Sequence, residues 1–131
     1  MRPTAVPPFR TLDPALFAAE RQLGAGLSTV VAVLPDEHLA TDRLNAVLAS
    51  LGASPRLRAG PGGWRVVLLD AAGGAGDLVT AAGGLASLVA VAGWDRVKRC
   101  ETCAEPYLDR TNGRTRRWCT RHRPHRVPSR P

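Results

Sequence analysis

Residues 99–126 read RCETCAEPYLDRTNGRTRRWCTRHRPHR and hold all three cysteines and two of the three histidines of the 131-residue chain. Cys100 and Cys103 form a C-x-x-C pair, and Cys119 opens a C-x-x-H pair with His122, fifteen residues separating the two pairs. Structural zinc takes four tetrahedral ligands from cysteine thiolates and histidine nitrogens, usually as two close-spaced pairs that the fold brings together. The spacing therefore predicts a Cys3His site of Cys100, Cys103, Cys119 and His122, with Zn2+ as cofactor and His125 as the other histidine in reach of the fourth position. So short a segment buries little apolar surface, and a metal clip supplies what its core lacks.

Within this segment Tyr107 to Asp109 reads as a short strand, Arg110 to Gly113 as a turn, and Arg114 to Trp118 as the return strand. Asn-Gly at 112–113 suits a tight hairpin because both residues tolerate positive φ. The expected module, residues 96–126, is a zinc knuckle with a β-hairpin, zinc-ribbon or treble-clef-like, followed by a flexible tail over 127–131. Tyr107 and Trp118 are expected to pack together over the site. Pro124 and Pro128 cut short any helix after Cys119, so the module offers no long recognition helix to a groove.

Charge divides the chain at the same place. Residues 1–95 carry seven arginines against eight acidic residues, a balance of −1, whereas residues 96–131 carry eleven Arg or Lys against three acids, a balance of +8. A field this concentrated attracts a polyanion. Arg114, Arg116, Arg117, Arg121, Arg123 and Arg126 are the expected phosphate contacts, with DNA as the partner. Such contacts position a protein on a backbone and confer little sequence specificity. A solvated basic face that meets an acidic protein is the competing reading.

Upstream, residues 1–11 hold three prolines and read as a flexible leader. Residues 12–95 are expected to form an α+β domain, a small helical body with a β-hairpin. Asp13-Pro14 is a helix start, followed by Leu16, Ala19, Leu23, Leu27, Val30, Val31 and Leu34 near a 3.6-residue period, weakened at Gly24 and Gly26 and stopped at Pro35. Asp36 or Thr41 caps the next helix, which ends at Gly52. The period then changes to two, and PRLRAGPGGWRVVLLDA predicts a hairpin turning through Gly60 to Gly63. Asp77 caps a last helix carrying Leu78, Ala81, Ala82, Leu85, Leu88, Val89 and Ala92, where Gly83 and Gly84 lower helix propensity but allow close packing against the hairpin. Trp94 and Val97 are placed at the junction of the two parts. A homodimer through this N-terminal body would add a second basic module.

Several function classes are excluded on the same grounds. AAGGAGD lacks the G-K-[ST] of a phosphate loop, and His38 lacks a His-Glu-x-x-His arrangement. A redox C-x-x-C belongs in a strand-to-helix context of a larger α/β fold, and zinc with four protein ligands keeps no open catalytic position. No enzyme activity and no small-molecule substrate are expected. The opening MRPTAVPPFR has no apolar signal region, an odd cysteine count argues against a disulfide framework, and the apolar run around Leu85 to Ala92 is too short to span a bilayer. These point to a reduced, cytoplasmic setting away from membranes.

Three segments together resemble the CGNR zinc finger family, predominantly bacterial proteins with an N-terminal ABATE domain that are described as stress-induced transcriptional regulators. They are Trp94 to Arg99, Tyr107-Leu108-Asp109-Arg110-Thr111, and Arg114-Thr115-Arg116-Arg117-Trp118-Cys119. LNAVLASLGASPRLRAGPGGWRVVLL is similar to the helix and hairpin in the latter half of the ABATE domain, which looks truncated here. The resemblance implies a zinc-binding, DNA-associated transcriptional regulator. The chain departs from the family in placing two residues rather than four between its first cysteines and in lacking the Cys-Gly-Asn-Arg signature, so that His122 or His125 must take the last ligand position. A structural or protein-interaction zinc module without DNA binding, or a decayed regulator, is the alternative.

Overall fold

The computed structural model describes residues 7–111 and 113–122, with side chains from residue 15 onward. The elements run α1 (Pro7–Gln22), α2 (Ser28–Val31), α3 (Glu37–Ser50), β1 (Ser54–Gly60), β2 (Gly63–Leu69), α4 (Asp77–Ala92), a 3-10 turn (Trp94–Arg96), β3 (Val97–Arg99) and β4 (Pro106–Leu108). The fold is α+β: a small helical body, two antiparallel hairpins, and a Cys/His cluster on the second of them.

The apolar period of residues 16–34 buries Leu16, Ala19, Leu23, Leu27, Val30 and Val31, but the helix is broken after Gln22. Gly26 lies in the turn that follows, where a Cβ would stand 2.6 Å from Leu78 Cδ1. The start of this helix corrects the sequence expectation. α1 begins at Pro7, so residues 7–11 of the expected leader are helical, and Asp13-Pro14 lies inside the element rather than at its end. Pro7 and Pro8 occupy the first turn, where a missing N–H has no helical partner to lose. Residues 1–6 and the expected tail at 127–131 lie outside the described residues.

Asp36 caps α3 by accepting from the Leu39 N–H at 3.1 Å. Thr41, the other cap considered, instead accepts the indole N–H of Trp94 at 3.0 Å. β1 and β2 pair from Ser54↔Leu69 to Gly60↔Gly63 around the turn at Pro61-Gly62, as the change of period predicts.

α4 is the central element, and its two adjacent glycines serve two neighbours. A Cβ at Gly84 would meet the Ala15 carbonyl oxygen at 2.6 Å, and one at Gly83 would meet Leu68 Cδ1 at 2.9 Å. Gly84 thus sets the approach of α1, and Gly83 that of the ribbon. The core formed by α1 to α4 continues into the C-terminal module through Trp94, Val97 and Leu108.

The second hairpin is made differently from the expectation. β4 pairs with β3, in register Val97↔Leu108, Lys98↔Tyr107 and Arg99↔Pro106. Arg114 to Trp118 is not a strand, because its carbonyls are taken by side chains: Lys98 Nζ donates to Arg114 O at 2.6 Å and Arg116 O at 3.1 Å, and the Tyr107 hydroxyl donates to Arg116 O at 2.7 Å. Asn112 of the expected turn lies outside the described residues. Among the described residues, no helix is long and apolar enough to cross a membrane.

Candidate metal centre

The C-x-x-C segment is the loop of the β3–β4 hairpin. Cys100 N–H donates to Glu105 O at 2.9 Å, continuing the ladder, and Ala104 N–H donates back to Cys100 O at 2.9 Å, closing a turn. To make that turn Ala104 takes φ 64°, a conformation glycine adopts more easily. The fold aims a backbone donor at sulfur, with Thr102 N–H 3.4 Å from Cys100 Sγ.

The second pair arrives from the chain that follows β4. Glu101 N–H donates to Arg117 O at 3.0 Å, which ties the approach to the knuckle, and His122 N–H donates to Cys119 O at 3.2 Å, which sets the turn of the C-x-x-H pair. Cys103 Sγ lies 3.7 Å from Cys119 Sγ, and Cys119 Sγ lies 3.2 Å from His122 Nδ1. All four donor atoms of Cys100, Cys103, Cys119 and His122 fall within 4.8 Å of one another. A tetrahedral zinc ion with Zn–S near 2.3 Å and Zn–N near 2.0 Å requires donor separations of about 3.5 to 3.8 Å, so the Cys103–Cys119 spacing already fits, the Cys119–His122 one must open slightly and the widest must close by at most about 1 Å. The cysteines are free thiols. His125 lies outside the described residues, and among the described ones this is the single cluster of the kind.

Electrostatics favour ligation. Burial opposes ionisation of Cys119, yet the His122 N–H and the neighbouring thiols bring its pKa down to about 7. Cys100 is lowered for the same kind of reason, burial being outweighed by backbone donors from Cys119, Cys103 and Thr102. At Cys103 the donor at Glu105 lowers the pKa, but burial and the adjacent thiols prevail and the net shift is upward. Three sulfurs this close cannot all ionise without a cation among them.

A polar scaffold holds the second pair in place, and sequence reasoning missed it. Asp109 is fully buried. Its carboxylate accepts from Lys98 Nζ at 2.6 Å, Thr111 N–H at 2.9 Å, Thr111 Oγ1 at 2.5 Å and Arg116 N–H at 3.0 Å. Arg96, also buried, donates to the carbonyls of Asp109 and Thr111. The available signal was D-x-T, the local Asx-type turn in which an Asp side chain accepts from the residue two places on.

Of the six arginines assigned to phosphate, Arg114, Arg116 and Arg117 have partners within the chain. Arg114 Nε lies 3.3 Å from Asp95 Oδ2, and Arg114 Nη2 donates to Ala92 O at 3.2 Å. Arg116 donates to Trp118 O at 2.7 Å and lies over the Tyr107 ring at 4.7 Å. Arg117 pairs with Glu101 at 3.0 Å and lies over Trp118 at 5.0 Å. Arg121 is exposed and lines an open groove with Phe17, Glu20 and Cys119. Arg123 and Arg126 lie outside the described residues. Trp118 and Tyr107 pack about the cysteines as expected.

Comparison with protein-family models and with curated proteins finds no match. The reading of the centre rests on its own geometry.

Proposed function

We propose that the chain is a non-catalytic protein whose C-terminal module is completed by a structural zinc ion on Cys100, Cys103, Cys119 and His122, and that it works through binding surfaces rather than chemistry. The observation that carries this is the convergence of four protein donors within 4.8 Å. When bound, zinc supplies a tetrahedral clip between the knuckle and the Cys119–His122 turn, with all four positions filled by protein and none left for substrate. Free thiols at such a site suit a reducing, cytoplasmic setting. Native mass measurement of the reduced protein during zinc titration tests the reading. One zinc per chain, lost in His122→Ala and kept in His125→Ala, is the expected result; a parent that takes up no zinc overturns it.

A second reading, DNA-associated transcriptional regulation, draws on the +8 balance of residues 96–131, on the family resemblance, and on the exposure of Arg121. Against it stand the internal partners of Arg114, Arg116 and Arg117, which make the structural and interaction role the better supported. Duplex DNA binding that disappears in Arg121→Ser and in Cys100→Ser/Cys103→Ser would favour regulation. Zinc binding without duplex binding would leave the interaction role.

A further inference from the structure

The β1–β2 ribbon breaks local rules twice within sixteen residues (54–69). Its pleat places Arg56, Arg58 and Arg65 on one face and Leu57, Trp64 and Val66 on the other. Arg58 and Arg65 stand directly opposite each other in the register, a like-charge cross-strand pair that weakens a sheet. Among the described residues none of the three arginines has a carboxylate partner, whereas Arg21, Arg114 and Arg117 each have one. Arg56 bonds only its own neighbours, Ser54 Oγ and Pro55 O. Arg65 Nε is shielded from solvent and meets no acceptor.

The opposite face is uncovered. Trp64, Leu57 and Val66, at 72%, 70% and 65%, are the most exposed large apolar side chains among the described residues. α4 covers only the base of that face, where Leu68 rests on Gly83. Two unmet demands in one element, free cations and a bare indole, mark it as built for a contact outside the chain.

A second copy of the chain fits these demands poorly. Stacking the two apolar faces would bury on the order of 800 Å² in total, below the ~1,200 Å² at which specific interfaces begin, and it would leave the arginines unmet on a chain of net charge +7. A polyanion carrying flat apolar units answers both demands. We propose that the ribbon binds single-stranded nucleic acid, with phosphates on Arg56, Arg58 and Arg65 and an unpaired base stacked on Trp64.

Positive charge joined to an aromatic platform is the recurrent recipe for single strands, and it is tolerant of sequence because every base has a π-face. Arg58–Arg65 and Ala59–Trp64 are adjacent pairs next to the turn, so a strand passing over the tip reaches the arginines on one side and Trp64 on the other. The tip is open to it, since a Cβ at Gly62 or Gly63 would meet nothing within 4 Å. A duplex, whose bases are stacked on each other, offers Trp64 no such face. This site involves neither the metal ligands nor the module arginines.

The test uses the full zinc-treated chain with fluorescein-labelled oligothymidylate, the matching duplex, and vesicles containing phosphatidylserine. Single-strand binding should weaken with salt and quench tryptophan emission, the quench vanishing in Trp64→Leu. Arg58→Ser/Arg65→Ser should lose roughly tenfold in affinity at low salt and flatten the log–log salt slope by about 1.4, for two phosphates released at ~0.7 each. Zinc content measured on the same preparations separates this outcome from that of the metal centre. Unchanged affinity in the double arginine variant overturns the proposal. So does duplex binding as tight as single-strand binding without quenching, or a Trp64 response to vesicles or to dimer formation with no oligonucleotide bound.

Discussion

Lys98 Nζ and Asp109 Oδ2 meet at 2.6 Å, with the Asp109 side chain wholly removed from solvent and that of Lys98 one quarter exposed. The pair does more than cancel charge. The same ammonium accepts no alternative geometry, because it also holds the carbonyls of Arg114 and Arg116, so one contact fixes the path that delivers Cys119 and His122. Burial would raise the Asp109 pKa, but the bonds from Lys98 and Thr111 outweigh it and the net shift is downward.

Lys98→Met should therefore cost about 3 kcal/mol, since it removes the counter-ion of a buried carboxylate and leaves only neutral donors on it. A folded pKa below the unfolded value of about 3.9 means that the stabilisation is present above that value and is lost as pH falls through the folded one. Urea midpoints measured from neutral to acidic pH should stay flat in the parent until the acid limb. In Lys98→Met, where burial now raises the Asp109 pKa, the deficit against the parent should be largest at neutral pH and should narrow as falling pH protonates the carboxylate.

Gly84→Ala and Gly83→Ala separate propensity from packing. Each gains about 1 kcal/mol of helix propensity, but at Gly84 the new methyl faces the Ala15 backbone, whereas at Gly83 it faces the Leu68 side chain from Cβ to Cδ1, which shifts more easily than backbone. Thermal unfolding should show Gly84→Ala destabilised by about 1–3 kcal/mol and Gly83→Ala near the parent. Equal losses would mean that the two neighbours are equally rigid.

Ala104→Gly should stabilise. Alanine at φ 64° bears a left-handed penalty of about 1 kcal/mol that glycine escapes. A higher melting temperature and undiminished zinc affinity are expected, and a lower melting temperature would show that the Ala104 methyl contributes packing that offsets the strain.

Removal of zinc by a chelator should lower the melting temperature of the reduced protein, and Cys103→Ser should abolish that response while lowering the starting value. Ligand bound only by the folded state stabilises it by mass action, roughly 2.7 kcal/mol at a hundredfold excess over Kd. Identical melting curves with and without chelator would contradict a structural ion.

The sequence spoke clearly wherever one residue type has one job. The ligand spacing of Cys100, Cys103, Cys119 and His122, the period-two run of β2, and the Asp36 cap could all be read before folding, and Gly83 and Gly84 announced close contact. What could not be read were competitions decided by distant partners. Asn112-Gly113 is a strong local hairpin signal, yet Lys98 and Tyr107 claim the carbonyls that a return strand would have used. The arginines of the module look alike in sequence, and only the fold shows that Asp95 and Glu101 lie beside two of them. The helix start at Pro7 was hidden because prolines are as natural in a first helical turn as in a loose leader.

Trp94, Val97 and Leu108 belong to the same apolar cluster as the helices, and Glu20 on α1 accepts the Leu108 N–H at 2.9 Å. Helix bundle and metal module are therefore expected to unfold together. If the proposed zinc completes the module, a chain so joined would on losing it loosen α1 and α4 along with the knuckle, and would become a better substrate for proteases. Cellular lifetime would then follow metal supply, with depletion read out as falling abundance rather than as a change of shape.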